Sequence, residues 1–306
     1  MFSLHVQQLH SKIKLQSSFI LLLIIAFTMA NAQQSGKAIR IIMIGAHPDD
    51  CDIDGGGTAA LFASMGHAVK FLSVTNGDAG HQTEGGKALA KRRAAEAKEA
   101  GRRLGITYDV LDNHDGTLVP SLEVRLQIIR KIREWNADIV IAPRPNDYHP
   151  DHRYTGILVQ DAAYMVGVPN IAPDAAPVKK NPVFLYSRDF FKKPNPFQPD
   201  IVVDITDVYD KKIAAMDAHQ SQFYEWLPWI GGYADEVPNG ADERKKWLAL
   251  RSALPVTPEL RSVLEKFYGK QKASVIKHAE AFEICEYGSQ PSEEEIKRLF
   301  PMLKKQ

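Results

Sequence analysis

Two short motifs carry most of the chemistry open to this chain: Ala46-His47-Pro48-Asp49-Asp50 and His149-Pro150-Asp151-His152. Two imidazoles and a carboxylate make a three-ligand site for a zinc ion, with one position left open for water. Zinc lowers the pKa of such a water to about 7, so hydroxide is available at neutral pH. A further carboxylate can take the water's proton. A further histidine can stabilise an oxyanion or protonate a leaving group. These are the parts of a metal-assisted amide hydrolase. Taken singly, Asp-Asp after a strand can cap a helix and His-Pro-Asp can form a turn. It is the pair of motifs that points to a site.

The surrounding elements must bring the two motifs together. Ala38–Ala46 predicts a buried strand, and Gly55-Gly56-Gly57-Thr58 then leads into a short helix, Ala59–Met65, stopped by Gly66. Further strands are predicted at Val69–Thr75, Thr107–Leu111 and Asp138–Ala142. Helices are predicted at Lys87–Leu104, at Leu122–Trp135 with Leu122, Leu126, Ile129 and Ile132 on one face, and from about Arg153 to Val166. This alternation predicts an α/β fold, a mostly parallel sheet with helices on both faces. The motifs follow the first and fourth strands, at the carboxyl edge where ligands bind, and these strands flank the switch point in the common doubly wound order.

The second part is less regular. Val183–Tyr186 and Ile201–Ile205 predict strands, Asp207–Trp226 a long helix, and Pro258–Tyr268 another. The reading is one domain over residues 33–306, with a core at about 38–226 and a C-terminal extension at 227–306.

Composition narrows the function classes. The 306 residues carry 38 Lys+Arg against 37 Asp+Glu, a formal charge of +1, which gives no electrostatic reason to expect nucleic acid. Two cysteines, Cys51 and Cys285, are too few for a disulfide scaffold or a cysteine-based zinc module, and are expected as buried, unpaired thiols. At the N-terminus, Lys12 and Lys14 precede the apolar run Phe19–Phe27, followed by Ala30-Asn31-Ala32. This is the pattern of a secretory signal peptide over residues 1–32, cleaved after Ala32, and the run is short of the about 20 residues of a membrane span. The mature chain is therefore expected to be periplasmic or secreted, with no stable membrane span.

At these motifs the chain resembles the LmbE-like/PIG-L family of zinc-dependent N-acetylglucosaminyl deacetylases, from about Ile41 to Gln222. Gly56-Gly57-Thr58, Arg93-x-x-Glu96, Asp115-Gly116 and His219-x-Ser221-Gln222 fit the same pattern. The resemblance implies a Rossmann-like fold. It implies metal ligands His47, Asp50 and His152, a general base Asp49, and a protonated His149 that holds the oxyanion or returns a proton to the leaving amine. It implies Asp151 as the residue that orients an imidazole. Arg93, Asp115 and His219 are candidate substrate contacts, each with a plainer reading as an ion pair, a turn or a core histidine. The implied reaction is hydrolysis of an N-acetyl group on an amino sugar or glycoconjugate. Zinc is the expected cofactor, and iron(II) or cobalt suits similar ligands. Two departures stand out: Cys51 where the family often has Glu, and Asp147, with Tyr148 adjacent, where some members have Tyr.

Three rival functions follow from the same residues. A metal-dependent amidase acting on a non-sugar N-acyl substrate would use identical ligands. A non-catalytic glycan- or metal-binding protein would not require Asp49. A nucleotide-dependent oxidoreductase is excluded by the absence of a G-x-G-x-x-G turn after the first strand.

Overall fold

The structure, a computed structural model, describes residues 37–303; the expected signal peptide lies outside the described residues. Seven strands form one sheet in the order β3-β2-β1-β4-β5-β7-β6. They are β1 (Arg40–Gly45), β2 (Ala68–Thr75), β3 (Thr107–Asn113), β4 (Ile139–Ala142), β5 (Val183–Ser187), β6 (Ile201–Asp204) and β7 (Ala279–Gly288). The first five run parallel, and β7 lies antiparallel between β5 and β6. The α/β fold with a mostly parallel sheet is thus as the alternation predicts.

Strand β1 shows why the sheet is buried on both faces. Ile41 and Met43 point into one apolar layer and Ile42 and Ile44 into the other, and all four are buried. Burying each such side chain contributes about 1.5–3 kcal/mol. The Ile42 layer is closed by α3 (Leu122–Trp135) and α4 (Pro150–Met165), the Ile41 layer by α1 (Asp50–Ser64), α2 (Gly86–Leu104) and α6 (Pro258–Tyr268). On α3 the buried stripe is Val124, Ile128, Ile129 and Ile132; Leu122, expected on that stripe, is 59% exposed at the first turn.

Three expectations need correction. Helix α1 starts at Asp50 rather than Ala59, so the glycine triplet lies inside it. A Cβ on Gly55 would meet Met43 Sδ at 2.4 Å, and one on Gly57 would meet Ile205 at 2.8 Å, so the glycines permit close packing rather than break the helix. Glu280 of β7 reinforces this point: its buried carboxylate accepts from the N–H groups of Gly57 and Thr58 at 2.9 and 2.7 Å and pairs with Lys212 at 2.7 Å. Second, the long helix at Asp207–Trp226 is two pieces, α5 (Tyr209–Met216) and a π-helical segment, Ser221–Trp226. Third, the C-terminal extension contributes β7 to the sheet itself.

Cys51 and Cys285 are free, buried, and belong to the apolar layers on opposite faces of the sheet. Among the described residues no helix is long and apolar enough to cross a membrane.

Candidate active site

The two motifs meet at the carboxyl ends of β1 and β4. After β1 the chain turns at His47, whose carbonyl accepts from the N–H groups of Asp49 and Asp50. The Asp50 carboxylate folds back to accept from the His47 N–H at 2.8 Å. Gly45 makes room for this, since a Cβ there would lie 2.8 Å from Asp50 Cβ. After β4, His149 caps α4: its Nδ1 accepts from the Asp151 N–H at 3.2 Å, and Pro150 opens the first turn.

Donor atoms of three residues converge. His47 Nδ1 lies 3.2 Å from His152 Nε2 and 3.5 Å from Asp50 Oδ2, and His152 Nε2 lies 3.5 Å from Asp50 Oδ1. Tetrahedral ligands at about 2.0–2.1 Å from a zinc ion stand roughly 3.3–3.4 Å apart, so the donor set fits such an ion. The electrostatics agree. Burial works against protonating His47 and His152, yet the surrounding carboxylates outweigh it: His47 is held well above its ordinary value and His152 is pushed up to about 10. Burial likewise disfavours the charged form of Asp50, but the two imidazoles hold its carboxyl well below the usual range. Positive charge is strongly favoured at this point, as a cation site requires.

Carboxylates behind the ring nitrogens fix the imidazoles. Asp147 Oδ1 lies 3.1 Å from His152 Nδ1 and also accepts from the His149 N–H at 2.9 Å. His47 Nε2 lies 3.0 Å from Asp115 Oδ1 and 3.4 Å from Asp151 Oδ2, without hydrogen-bond alignment to either. Asp151 is itself held by the N–H groups of Gly116 and Leu118. Asp151 therefore stands where an orienting residue is expected, and Asp115 stands with it.

Asp49 sits beside the centre on the β3 side. Burial raises its pKa above the usual carboxylate value, while Arg93 pulls the other way. Arg93 Nη2 donates to Asp49 Oδ1 at 3.0 Å, and Nη1 contacts Asp115 Oδ2 at 3.4 Å and the Gly77 carbonyl at 3.2 Å. Gly77 has φ +71°, and a Cβ there would strike the guanidinium at 2.6 Å. Arg93 is only 2% exposed, so holding Asp49 comes before any contact with a substrate. His219, a candidate substrate contact, does not reach the cleft: it is fully buried and paired with Asp52 at 3.0 Å.

His149 differs from the expected imidazolium. Burial, His47 and His152 all lower its pKa. Because its Nδ1 accepts from the backbone, its ring proton resides on Nε2, and a neutral imidazole can donate from there. A nitrogen of His149 lies within 4.8 Å of ligand atoms of His47 and His152. Tyr148, 73% exposed, stands edge-on to the rings of His149 and His152. Cys51 does not point at the centre: its Sγ meets the Met43 carbonyl at 3.4 Å.

Asp147, which stands out in the sequence only as a departure from the family pattern, gains a role from the fold. Its signal is an acid two residues before His149, which its contacts with both histidines explain. Arg144 was unread. Buried after β4, it grips Asp189 bidentately at 2.5 and 2.6 Å and walls the pocket beside the centre.

The chain is similar to known proteins. A family model described as PIG-L: GlcNAc-PI de-N-acetylase matches residues 42–163. The chain is 36% identical over 205 residues to a diacetylchitobiose deacetylase of Thermococcus kodakarensis, covering 62% of this chain and 74% of that one. It is 29% identical over 223 residues to a probable N-acetyl-alpha-D-glucosaminyl L-malate deacetylase 2 of Bacillus cereus, covering 69% and 94%. It is 25% identical over 193 residues to a 4-oxalmesaconate hydratase of Pseudomonas putida, covering 60% and 74%. Among solved structures, N,N'-diacetylchitobiose deacetylase from Pyrococcus horikoshii superposes with a TM-score of 0.60 at 28% identity, covering 81% of this chain and 84% of that one.

Proposed function

The chain belongs to the PIG-L/LmbE family, and from that premise we propose that it is a metal-dependent hydrolase that removes an N-acetyl group from an amino sugar or glycoconjugate. One observation carries the reading: His47 Nδ1, His152 Nε2 and Asp50 converge within 3.5 Å, with Asp49 held beside them by Arg93. The relatives named as deacetylases of N-acetylated sugars support the substrate class.

His47, Asp50 and His152 would hold a divalent ion, with zinc as the first choice. When bound, it supplies Lewis acidity that lowers the pKa of a water ligand to about 7 and polarises the acyl oxygen. Asp49 takes a proton from the attacking water. Its raised pKa makes it a stronger base than an exposed carboxylate, and Arg93 keeps it aimed. His149 donates from Nε2 to the oxygen that gains charge as the carbonyl carbon becomes tetrahedral. The proton on Asp49 then passes to the departing nitrogen. Acetate and a free amine result.

We also propose that the chain is exported and cleaved after Ala32, on the strength of Lys12, Lys14, the run Phe19–Phe27 and Ala30-Asn31-Ala32. N-terminal sequencing of the protein recovered outside the cytoplasm tests this; an intact Met1 there refutes the cleavage.

The activity is tested by amine release from a panel of N-acetylated sugars with the purified protein, metal-stripped and then with zinc restored. The expected outcome is zinc-dependent release that collapses in Asp49→Asn. No release from any sugar, with stoichiometric zinc still bound, favours a non-sugar amidase or a binding protein. A hydratase among the relatives makes 4-oxalmesaconate the control substrate.

A further inference from the structure

The centre has a second side that the reaction scheme leaves unused. A cavity of about 360 Å³ opens beside Asp50 and His152 at the ends of β1, β4 and β5. Its size falls within the range of about 300–1,000 Å³ typical of small-molecule sites. Neither Asp49 nor His149 lines it. Its apolar walls come from Met43, Ile53, Tyr148, Phe190 and Phe191. Most of its charged neighbours are engaged: Arg144 grips Asp189, Asp147 contacts His152, and Asp54 accepts from the Ser187 hydroxyl at 2.9 Å; the Arg188 guanidinium lies against the Phe190 ring and has no carboxylate within ion-pair distance among the described residues.

This layout gives a scissile amide a direction. Asp49, which returns its proton to the departing nitrogen, lies off the cavity, so the amine must depart toward Asp49. The other substituent of the carbonyl carbon then faces Asp50, His152 and the cavity. An acetyl methyl, about the size of one water, would leave nearly all of that space unused.

We propose that this cavity is an acyl-chain subsite, and that the enzyme prefers N-acyl amino sugars whose acyl group is longer than acetyl. The inference rests on the hydrolase reading above and specifies its substrate class. Water adds its oxygen to the acyl carbon, the C–N bond breaks, the amine gains a proton, and the products are a straight-chain carboxylate and the free amino sugar.

The test is a series of N-acyl glucosamines, from acetyl through butanoyl and hexanoyl to octanoyl, with the zinc-loaded protein. Specificity, kcat/KM, is expected to rise about fourfold for each added methylene until the cavity is filled. Ile53→Trp, which narrows the cavity, is expected to abolish that rise while sparing acetyl release. Phe190→Ala, at a 64% exposed wall residue, is a gentler change that is expected to flatten the rise should the tryptophan variant fail to fold. Acetyl cleaved with a flat or falling series overturns the subsite but leaves the hydrolase standing. A rise for N-acetyl glucosaminides with longer alkyl aglycones, with none for longer acyl groups, assigns the cavity to the aglycone and also overturns it. No cleavage of any member sinks the hydrolase reading itself.

Discussion

Asp49 and Asp54 flank the same helix start, and burial raises the pKa of both, but their company differs. Asp49 shares a buried ion pair with Arg93, which also reaches Asp115 behind His47. Asp54 faces the apolar cavity and has a hydroxyl, Ser187, as its hydrogen-bond partner; its pKa rises to about 7. Arg93 opposes the rise at Asp49 and aims it as a base, whereas Asp54, with only a hydroxyl in contact, is free to become a neutral wall. Two acids on one element thus serve opposite sides of one centre, and what separates them is the guanidinium delivered by α2.

The largest expected break in this comparison is Asp49→Asn. It should lower kcat by about 10²–10⁴-fold while zinc content, read by elemental analysis, stays stoichiometric. Asp54→Asn should leave kcat for an acetyl substrate nearly unchanged, which sharpens the contrast. If Asp54→Asn costs as much as Asp49→Asn, the division into two sides is wrong. Asp147→Ala comes next: freed of its carboxylate, His152 should bind zinc about 10–100-fold more weakly, measured by competition with a chromogenic chelator.

Smaller effects appear in stability. Glu280→Gln leaves Lys212 buried without its counterion, so urea unfolding should show a loss of about 3 kcal/mol. Little change in the urea midpoint would mean that the pair does not secure α1. The smallest effect is pH-dependent and belongs to Asp54. Its folded pKa, about 7, lies above its ordinary value, so the folded state holds a proton that the unfolded state has lost. Stability from this group is present in full at acid pH and drains away as pH climbs from the ordinary carboxylate range to about 7. Relative to Asp54→Asn, the wild type should lose roughly 1–2 kcal/mol over that window, the partial exposure of the carboxyl screening the rest. Parallel stability curves for the two proteins would refute the assignment.

Much of this arrangement was legible in the sequence because it is local. Strands β1, β2 and β4 announce themselves as short β-branched runs, and their carboxyl ends place His47, Asp50 and His152 at one edge. Helix α3 fits its predicted span to the residue, with Ser121 as its cap. What the sequence hid is long-range. The glycine triplet reads as a lead-in to a helix starting at Ala59, whereas it lies inside one, with Glu280, far along the chain, accepting from Gly57 and Thr58. His219 could pass for a site residue because nothing local shows that Asp52 claims it. Arg93 reads from sequence as a substrate contact or a helix ion pair, and only the fold buries it against Asp49.

Strand β7 has a consequence for how the molecule is made. It is threaded between β5 and β6, which precede it in the chain and do not pair with each other. A growing polypeptide must therefore keep a slot open between them until residues 205–278 have been synthesised. Until β7 arrives with Glu280, Lys212 lacks its anion and Gly57 and Thr58 lack their acceptor. Contacts of such long sequence separation slow folding. The helix that begins at Asp50 is thus secured by a segment that leaves the ribosome long after it, and a chain cut short before β7 would carry both histidine motifs without that clamp.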